Sequence, residues 1–228
     1  MKAYEDIWWW HAIDLPDGRR TPGFHYCKDH VKTWGIKPKQ YRDKTVLDIG
    51  SWDGGYCFVF EEWGAADVLA TDSWAWEHHG TDGIEYCIEQ RGSNVRMQFC
   101  KTFDISPETV GTFDVVMMCG VFYHLRNPLI SLDKAISVVN PGGMMCVETC
   151  INEVDNRKDI PQMAYYPGPD PYYDDESTWF GPNNAMMLSL LEPYFGEVTH
   201  KNWDVGGKKR GFFQCYGRNE EWPDFEYW

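Results

Sequence analysis

No apolar run in this sequence approaches the ~20 residues that cross a bilayer, and Met1–Trp10 carries acids where a signal peptide would be basic. Internal repeats and low-complexity tracts are also missing. Eight cysteines are present, but no two form a CxxC pair, and Cys146 and Cys150 stand four apart on a predicted strand. That spacing is no metal knuckle. These gaps argue against a membrane span, a disulfide scaffold and a metal site, and they suit buried free thiols in a reducing compartment. A cytoplasmic protein without metal is the expectation.

Positive charge is scarce. Lys and Arg number 21 against 35 Asp and Glu, a net charge of −14 over 228 residues. The only dense basic runs are Arg19-Arg20 and Lys208-Lys209-Arg210. A protein that grips nucleic acid through its phosphates usually carries a basic face, so this balance argues against such a partner. Aromatics, by contrast, are abundant: 12 Trp, 13 Tyr and 12 Phe, many in polar surroundings such as Trp8–Trp10 and Tyr165-Tyr166. Either a core plus scattered surface rings or an aromatic-walled pocket accounts for them.

Strand and helix patterns alternate from about residue 45 to 217, which predicts an α/β fold with a mostly parallel sheet and helices on both faces. Predicted strands are 45–49, 67–71, 95–102, 113–119, 143–151, 197–203 and 210–217; predicted helices are 55–63, 83–90, 127–139 and 183–194. In the third helix Leu129, Leu132, Ile136 and Val139 fall on one face. Residues 1–44 read as an N-terminal helical and loop cap or lid, and 45–228 as a single domain. Residues 152–182 hold Pro161, Pro167, Pro169, Pro171 and Pro182, an irregular connection of the kind that forms lids or binding loops. Its Asp170, Asp174, Asp175 and Glu176, interleaved with Tyr172 and Tyr173, form either a solvated face or a wall suited to a cationic or polyhydroxylated acceptor.

The segment Asp48-Ile49-Gly50-Ser51-Trp52-Asp53-Gly54-Gly55 combines the end of a buried strand, a glycine turn and a helix start. A loop built for pyrophosphate offers bare amides to an anion. Here Asp48 and Asp53 bring carboxylates to that spot, which favours the ammonium and sulfonium of S-adenosylmethionine (SAM) over a dinucleotide. Asp72 follows about twenty residues later, the usual distance for a carboxylate that binds two ribose hydroxyls. Ser73 and Trp74 come next, and the indole is placed to cover an adenine. Phe103 and Asp104 close the third strand; Asp104 reads as an acceptor for the adenine amine or as a helix N-cap before Pro107. The fourth strand leads to Cys119-Gly120-Val121-Phe122-Tyr123-His124, at the strand end where α/β sheets bind ligands.

These segments resemble one family over nearly the whole chain, the tRNA uridine-34 methyltransferase-like group of class I SAM-dependent methyltransferases and its relatives with small-molecule substrates. Trp10-His11-Ala12-Ile13-Asp14-Leu15-Pro16-Asp17-Gly18 with Thr21-Pro22-Gly23 is similar to the family's opening. Leu47–Gly54 is similar to its Leu-Asp-(Ile/Val)-Gly-Thr-Trp-Asp-Gly turn, Gly120–Leu129 to its Gly-Val-Leu-Tyr-His box, and Thr178–Asn183 to the entry of its late helix.

The resemblance implies a Rossmann-like sheet with an antiparallel last strand, and SAM as cofactor with S-adenosylhomocysteine (SAH) as product. It places Asp48, Gly50, Ser51, Trp52, Asp53, Gly54, Asp72, Ser73, Trp74, Phe103, Asp104, Cys119, Gly120 and Tyr123 around the cofactor. His124, His11 and Tyr123 are the catalytic candidates, the histidines as bases for an oxygen acceptor. Trp10, Tyr166, Trp179 and Asn183 are the substrate candidates. The family's tRNA enzyme grips a carboxylated SAM partly through a Lys…Trp-Arg-Lys set that residues 19–45 lack. The Asn/Asp-Pro-Pro-Tyr/Phe box of amine methyltransferases is missing as well. Methyl transfer to a small molecule, at oxygen, is the reading; a tRNA wobble-uridine (carboxy)methyltransferase and a non-catalytic SAM-binding protein are the alternatives. Oligomeric state is not legible in the sequence.

Overall fold

The computed structural model describes residues 2–152, 158–166 and 177–221. Two compact units emerge, Met1–Asp104 and Ile105–Trp228. This division differs from the boundary expected after residue 44, because the first 44 residues pack into the first unit. The acidic tyrosine-rich run at 170–176 lies outside the described residues.

In the first unit the short strands β1 (His11–Ala12) and β2 (His25–Tyr26) pair in parallel ahead of α1 (Cys27–Trp34). Helix α1 buries Cys27, Val31 and Trp34, spaced four and three apart on one stripe. Strand β3 (Thr45–Ile49), helix α2 (Gly55–Glu62) and strand β4 (Asp67–Asp72) then form a parallel crossover, with Val46 opposite Val68 and Leu47 opposite Leu69. Both strands are buried over all but their first residue, as expected where a sheet is covered on both faces. Helices α3 (Trp74–His79) and α4 (Asp82–Arg91) lead to β5 (Arg96–Phe99), parallel to β4. Helix α3 was not expected: Trp-Ala-Trp-Glu-His-His has no helical periodicity, and the Asp72 carboxylate holds its first turn by accepting from Ala75 N–H.

The second unit opens with α5 (Pro107–Val110), β6 (Phe113–Cys119) and α6 (Pro128–Ser137). Strand β7 (Val139–Cys150) runs parallel to β6. After the short antiparallel pair β8 (Met163–Tyr165) and β9 (Phe180–Pro182) comes α7 (Asn184–Leu191). The long hairpin β10 (Phe195–Val205) and β11 (Lys208–Arg218) closes the unit, and β11 lies antiparallel to both β10 and β7. Helix α6 ends earlier than its periodicity suggested. Val139 opens β7, and Leu129 is exposed; the buried face is Ser131, Leu132, Ala135 and Ile136. The apolar run simply continues from helix into strand, so spacing alone misplaced the boundary. All eight cysteines are free, and all but Cys119 are buried. Among the described residues no helix is long and apolar enough to cross a membrane.

Candidate functional site

The glycine turn after β3 has the geometry of a ligand loop. Gly50 and Ser51 donate their N–H groups to Thr71 carbonyl oxygen at 2.8 and 3.0 Å, tying the turn to β4. Gly54 adopts φ +79°, and a Cβ there would meet Ile84 Cδ1 at 2.9 Å, so only glycine fits. No side chain of Gly54 caps α2, whose N-terminus follows the turn directly. Asp48 is buried and accepts from Cys57 Sγ at 3.3 Å; burial pushes its carboxyl up to about 6. Ser51 Oγ and Trp52 Nε1 are buried without a hydrogen-bond partner. Orphan polar atoms of this kind are rare unless a bound group satisfies them. Their place in the turn fits a polar ligand such as SAM.

Asp72 ends β4 and is buried. Its Oδ2 accepts from Trp52 N–H at 3.0 Å and its Oδ1 from Ser73 N–H at 2.7 Å and Ala75 N–H at 3.0 Å. A carboxylate offers about four acceptor positions, so one remains after these three amides. Asp72 therefore serves as helix cap and turn clamp in addition to any ligand role. The Trp74 ring is half exposed and packs on His78 at 4.6 Å. Phe103 and Asp104 lie exposed in the single turn Thr102–Asp104. The N-cap of α5 is Ser106, which accepts from Thr109 N–H, so the capping alternative for Asp104 fails.

Asp53 is engaged by the N-terminal segment. One oxygen accepts from Trp10 N–H at 2.8 Å and His11 N–H at 3.0 Å, and the other bonds His11 Nδ1. His11 and Asp53 are both buried. Burial would lower the imidazole pKa, but Cys27 and the Asp53 carboxylate more than reverse that and hold it well above its ordinary value. His11 therefore holds a proton more readily than a free imidazole, and its Nδ1 is committed to Asp53. The bond ties the N-terminal segment to the glycine turn. Thr21 Oγ1 reinforces the segment, donating to His11 carbonyl oxygen at 2.6 Å and accepting from Ile13 N–H at 2.8 Å. A Cβ on Gly23 would stand 2.2 Å from the His11 carbonyl carbon, which accounts for glycine in Thr21-Pro22-Gly23.

This anchor seats aromatic rings on the glycine turn. Trp10 stacks on Trp52 with centroids 4.8 Å apart and planes 12° apart. Trp8 stacks on His79 at 4.7 Å and lies 5.1 Å from Trp52. Trp52 itself has φ +50°, a left-handed conformation that costs about 1–3 kcal/mol for a non-glycine residue.

In the second unit, Gly120 donates its N–H to Glu148 carbonyl oxygen at 3.1 Å, and Cys119 pairs with Glu148 in register. Tyr123 is buried, its phenol pushed up to about 12 by burial. Arg210 Nη2 donates to Tyr123 Oη at 3.3 Å, and its guanidinium lies 4.6 Å from the Tyr123 ring centroid. The same guanidinium grips Glu148 with two bonds of 2.6 Å. Neither Glu148 nor Arg210 was picked out as a site residue. The available signals were a lone acid inside the apolar run 144–150 and the arginine ending a basic run. His124 Nδ1 faces Ser177, 3.0 Å from its hydroxyl and 3.2 Å from its carbonyl oxygen. That is the structural bond expected of a loop histidine.

Trp179 donates its N–H to Tyr123 carbonyl oxygen at 2.8 Å, and Arg126 lies over its ring at 4.5 Å. The Tyr166 hydroxyl bonds Asn152 Nδ2. Asn183, expected to touch substrate, is buried: it caps α7 through Met186 N–H at 2.8 Å, accepts from Gln162 N–H at 3.1 Å and donates to Ile160 carbonyl oxygen at 2.8 Å. Among the described residues no His, Cys, Asp and Glu cluster could hold a metal.

A parallel α/β crossover, a glycine turn with orphan polar atoms and an acid ending the next strand define a nucleoside-cofactor domain of the class I methyltransferase type. Comparison with known proteins gives the family. Residues 21–179 match the family model described as "Methyltransferase domain", and the chain belongs to that family of class I SAM-dependent methyltransferases. Among curated proteins it is similar to the tRNA U34 carboxymethyltransferase of Pseudomonas fluorescens (strain SBW25), 28% identical over 79% of this chain and 57% of the relative. That of Cellvibrio japonicus (strain Ueda107) is 27% identical over 66% and 44%. The chain thus spans about half the length of the curated relatives it matches. Among solved structures, the N-terminal domain of EvdMO1, determined with SAH and D-fucose, aligns with a TM-score of 0.68 at 16% identity, covering 94% of this chain and 93% of that one. The Burkholderia thailandensis 1,6-didemethyltoxoflavin-N1-methyltransferase aligns at 0.58 and 15%, covering 78% and 72%. These likenesses establish the Rossmann-like methyltransferase fold expected from the sequence.

Proposed function

We propose that this protein transfers a methyl group from SAM to a small-molecule acceptor, at an oxygen. The carrying observation is electrostatic. With net charge −14, the first basic run is neutralised by Arg19–Asp17 and Arg20–Asp14 pairs at 2.7 Å, and Arg210 of the second run by Glu148. Arginines so engaged are poor partners for a phosphate backbone.

Bound SAM supplies an electrophilic methyl on a sulfonium. The protein's part is alignment, which in a displacement of this kind is worth about 7–11 kcal/mol. Gly50, Ser51, Trp52 and Gly54 form the turn that holds the cofactor, Asp48 and the orphan Ser51 Oγ meet its polar end, and Asp72 takes the ribose. Ser73, Trp74, Phe103 and Asp104 line the adenine. In the second unit Cys119, Gly120 and Tyr123 are the cofactor candidates, with the Tyr123 ring held by Arg210. His124 is the proposed base for an acceptor hydroxyl, its Nδ1 held by Ser177. Trp10, Tyr166 and Trp179 are the acceptor contacts.

A second reading rests on the curated relatives, which are named for tRNA uridine-34 carboxymethylation. Calorimetric titration with SAM, SAH and NAD, followed by turnover assays with a panel of hydroxylated small molecules and with unmodified tRNA, separates the two. Micromolar SAM and SAH binding, no NAD binding, and turnover on a small molecule support the proposal. Turnover on tRNA alone, with SAM or its carboxylated form, replaces it with the second reading. SAM binding with no acceptor in either set leaves a SAM-binding protein. In the same titration Asp72→Ala should weaken SAM by about tenfold or more, since charge-assisted bonds are worth roughly 1.5–3 kcal/mol.

A further inference from the structure

Three rings of the first unit stand out of the fold instead of inside it. Trp8 is 45% exposed and Phe24 75%, while Trp10 is half-buried between them and the glycine turn. Trp8 and Trp10 stack at 5.9 Å and 21°, and Phe24 lies 6.4 Å from Trp8 and 6.5 Å from Trp10. Exposed aromatic surface costs about 25 cal/mol per Å² relative to burial. Here it is also held stiffly. The buried His11–Asp53 bond and the Asp53 bond to Trp10 N–H fix the backbone between Trp10 and the turn, and Trp52 supports Trp10 from beneath in a left-handed conformation. A buried His11–Asp53 bond spent on presenting indoles to solvent is hard to explain as packing. It is what a preorganised stacking platform requires.

We propose that Trp8, Trp10 and Phe24 form a binding platform for the flat ring of the acceptor, and that the ring it takes is uncharged or cationic and free of phosphate. The idea that this ligand is the methyl acceptor rests on the proposed function; the ring-binding itself does not. Three properties set the ligand class. Near-parallel indoles offer π faces, which pair best with another flat ring by offset stacking. Those faces are the negative part of the ring quadrupole, so they attract cations and repel anions. The chain's net charge of −14 acts in the same direction. His79, stacked on both Trp8 and Trp52, extends the platform's underside with a further flat ring.

The test uses one ring at three charges: nicotinate (anion), nicotinamide (neutral) and 1-methylnicotinamide (cation). Binding of each to the full chain is followed by saturation-transfer NMR and calorimetry, with and without saturating SAH. Nicotinamide and 1-methylnicotinamide should bind, and nicotinate about tenfold more weakly or less. Removing both exposed rings (Trp8→Ala with Phe24→Ala) should weaken the two binders by about tenfold, the usual effect of losing a stacking ring. Trp8→Phe, which keeps a face, should restore most of that loss. SAH affinity should stay within about twofold throughout, which also reports that each variant is folded. Equal binding of all three charges, no binding of any ring, or an undiminished affinity in the double variant overturns the proposal. So does competition by SAH, which would assign the platform to the cofactor's own adenine. If the wild type is a dimer that the double variant dissociates, the surface is an interface between copies and the proposal fails. Should SAH itself not bind, the cofactor reading falls, while the ring series measured without SAH still decides the platform.

Discussion

Both oxygens of the Asp53 carboxylate are taken up by the N-terminal segment, one by the His11 imidazole and the other by the N–H groups of Trp10 and His11. The acid that stands inside the glycine turn is therefore a fastener. It joins a segment 42 residues upstream to the turn and brings Trp10 onto Trp52. Folding of residues 8–25 and the shape of the turn are coupled through this one carboxylate.

Removing the charge of Asp53 should loosen that segment. In Asp53→Asn the buried His11 ring loses its charged partner, and a hydrogen bond to a charged group contributes about 1.5–3 kcal/mol. A lower melting temperature and faster tryptic cleavage after Arg19 and Arg20 are expected. Wild-type values for both would show that the segment is held by packing alone.

The same bond sets a pH dependence. The His11 pKa is raised well above its ordinary value in the fold. A group raised in this way contributes stability that is fully present below about 6.5, its unfolded value, and is lost as pH rises through the folded value. The stability difference between the wild type and His11→Asn, measured by chemical denaturation, should therefore narrow as the solution is made alkaline. A difference that does not change between neutral and alkaline pH rejects the raised His11 pKa.

Asp48 makes the opposite contribution near neutral pH. Burial raises its carboxyl from 3.8 to about 6, so the charged form is disfavoured in the folded protein. Its contribution is favourable below the unfolded value and disappears as pH rises through about 6. Asp48→Asn should then stabilise the ligand-free protein by up to roughly 3 kcal/mol at slightly alkaline pH, and hardly at all in acid. SAM affinity should fall in the same variant, since sites tuned for a ligand commonly trade stability for binding. Equal gains at both pH values would point to a packing effect.

Arg210→Met isolates the second unit's buried ion pair. It strands the Glu148 carboxylate, and the loss should be about 3–5 kcal/mol. Adding Glu148→Gln should recover much of it, because the double variant buries no unpaired charge. Additive losses, with the double variant worse than either single one, would mean that the two side chains do not act as a pair.

The local elements were legible in the sequence. Strands Thr45–Ile49 and Phe113–Cys119 have the expected bounds, the turn at Gly50–Gly54 and helix α2 lie where the glycines and apolar run placed them, and β11 is the expected antiparallel strand. Each is encoded within a few consecutive residues by apolar runs, glycine conformations and the class of motif, and each is therefore readable without partners. What the polar side chains do was decided by tertiary structure. Asp53 and His11 are 42 residues apart, Glu148 and Arg210 are 62 apart, and Asn183 reaches back to Ile160. A carboxylate's sequence neighbours do not reveal whether a ligand or a distant histidine will meet it. Once the chain is folded and water is excluded, hydrogen bonding requires each such group to take the nearest complementary partner, and that partner depends on the fold rather than the motif.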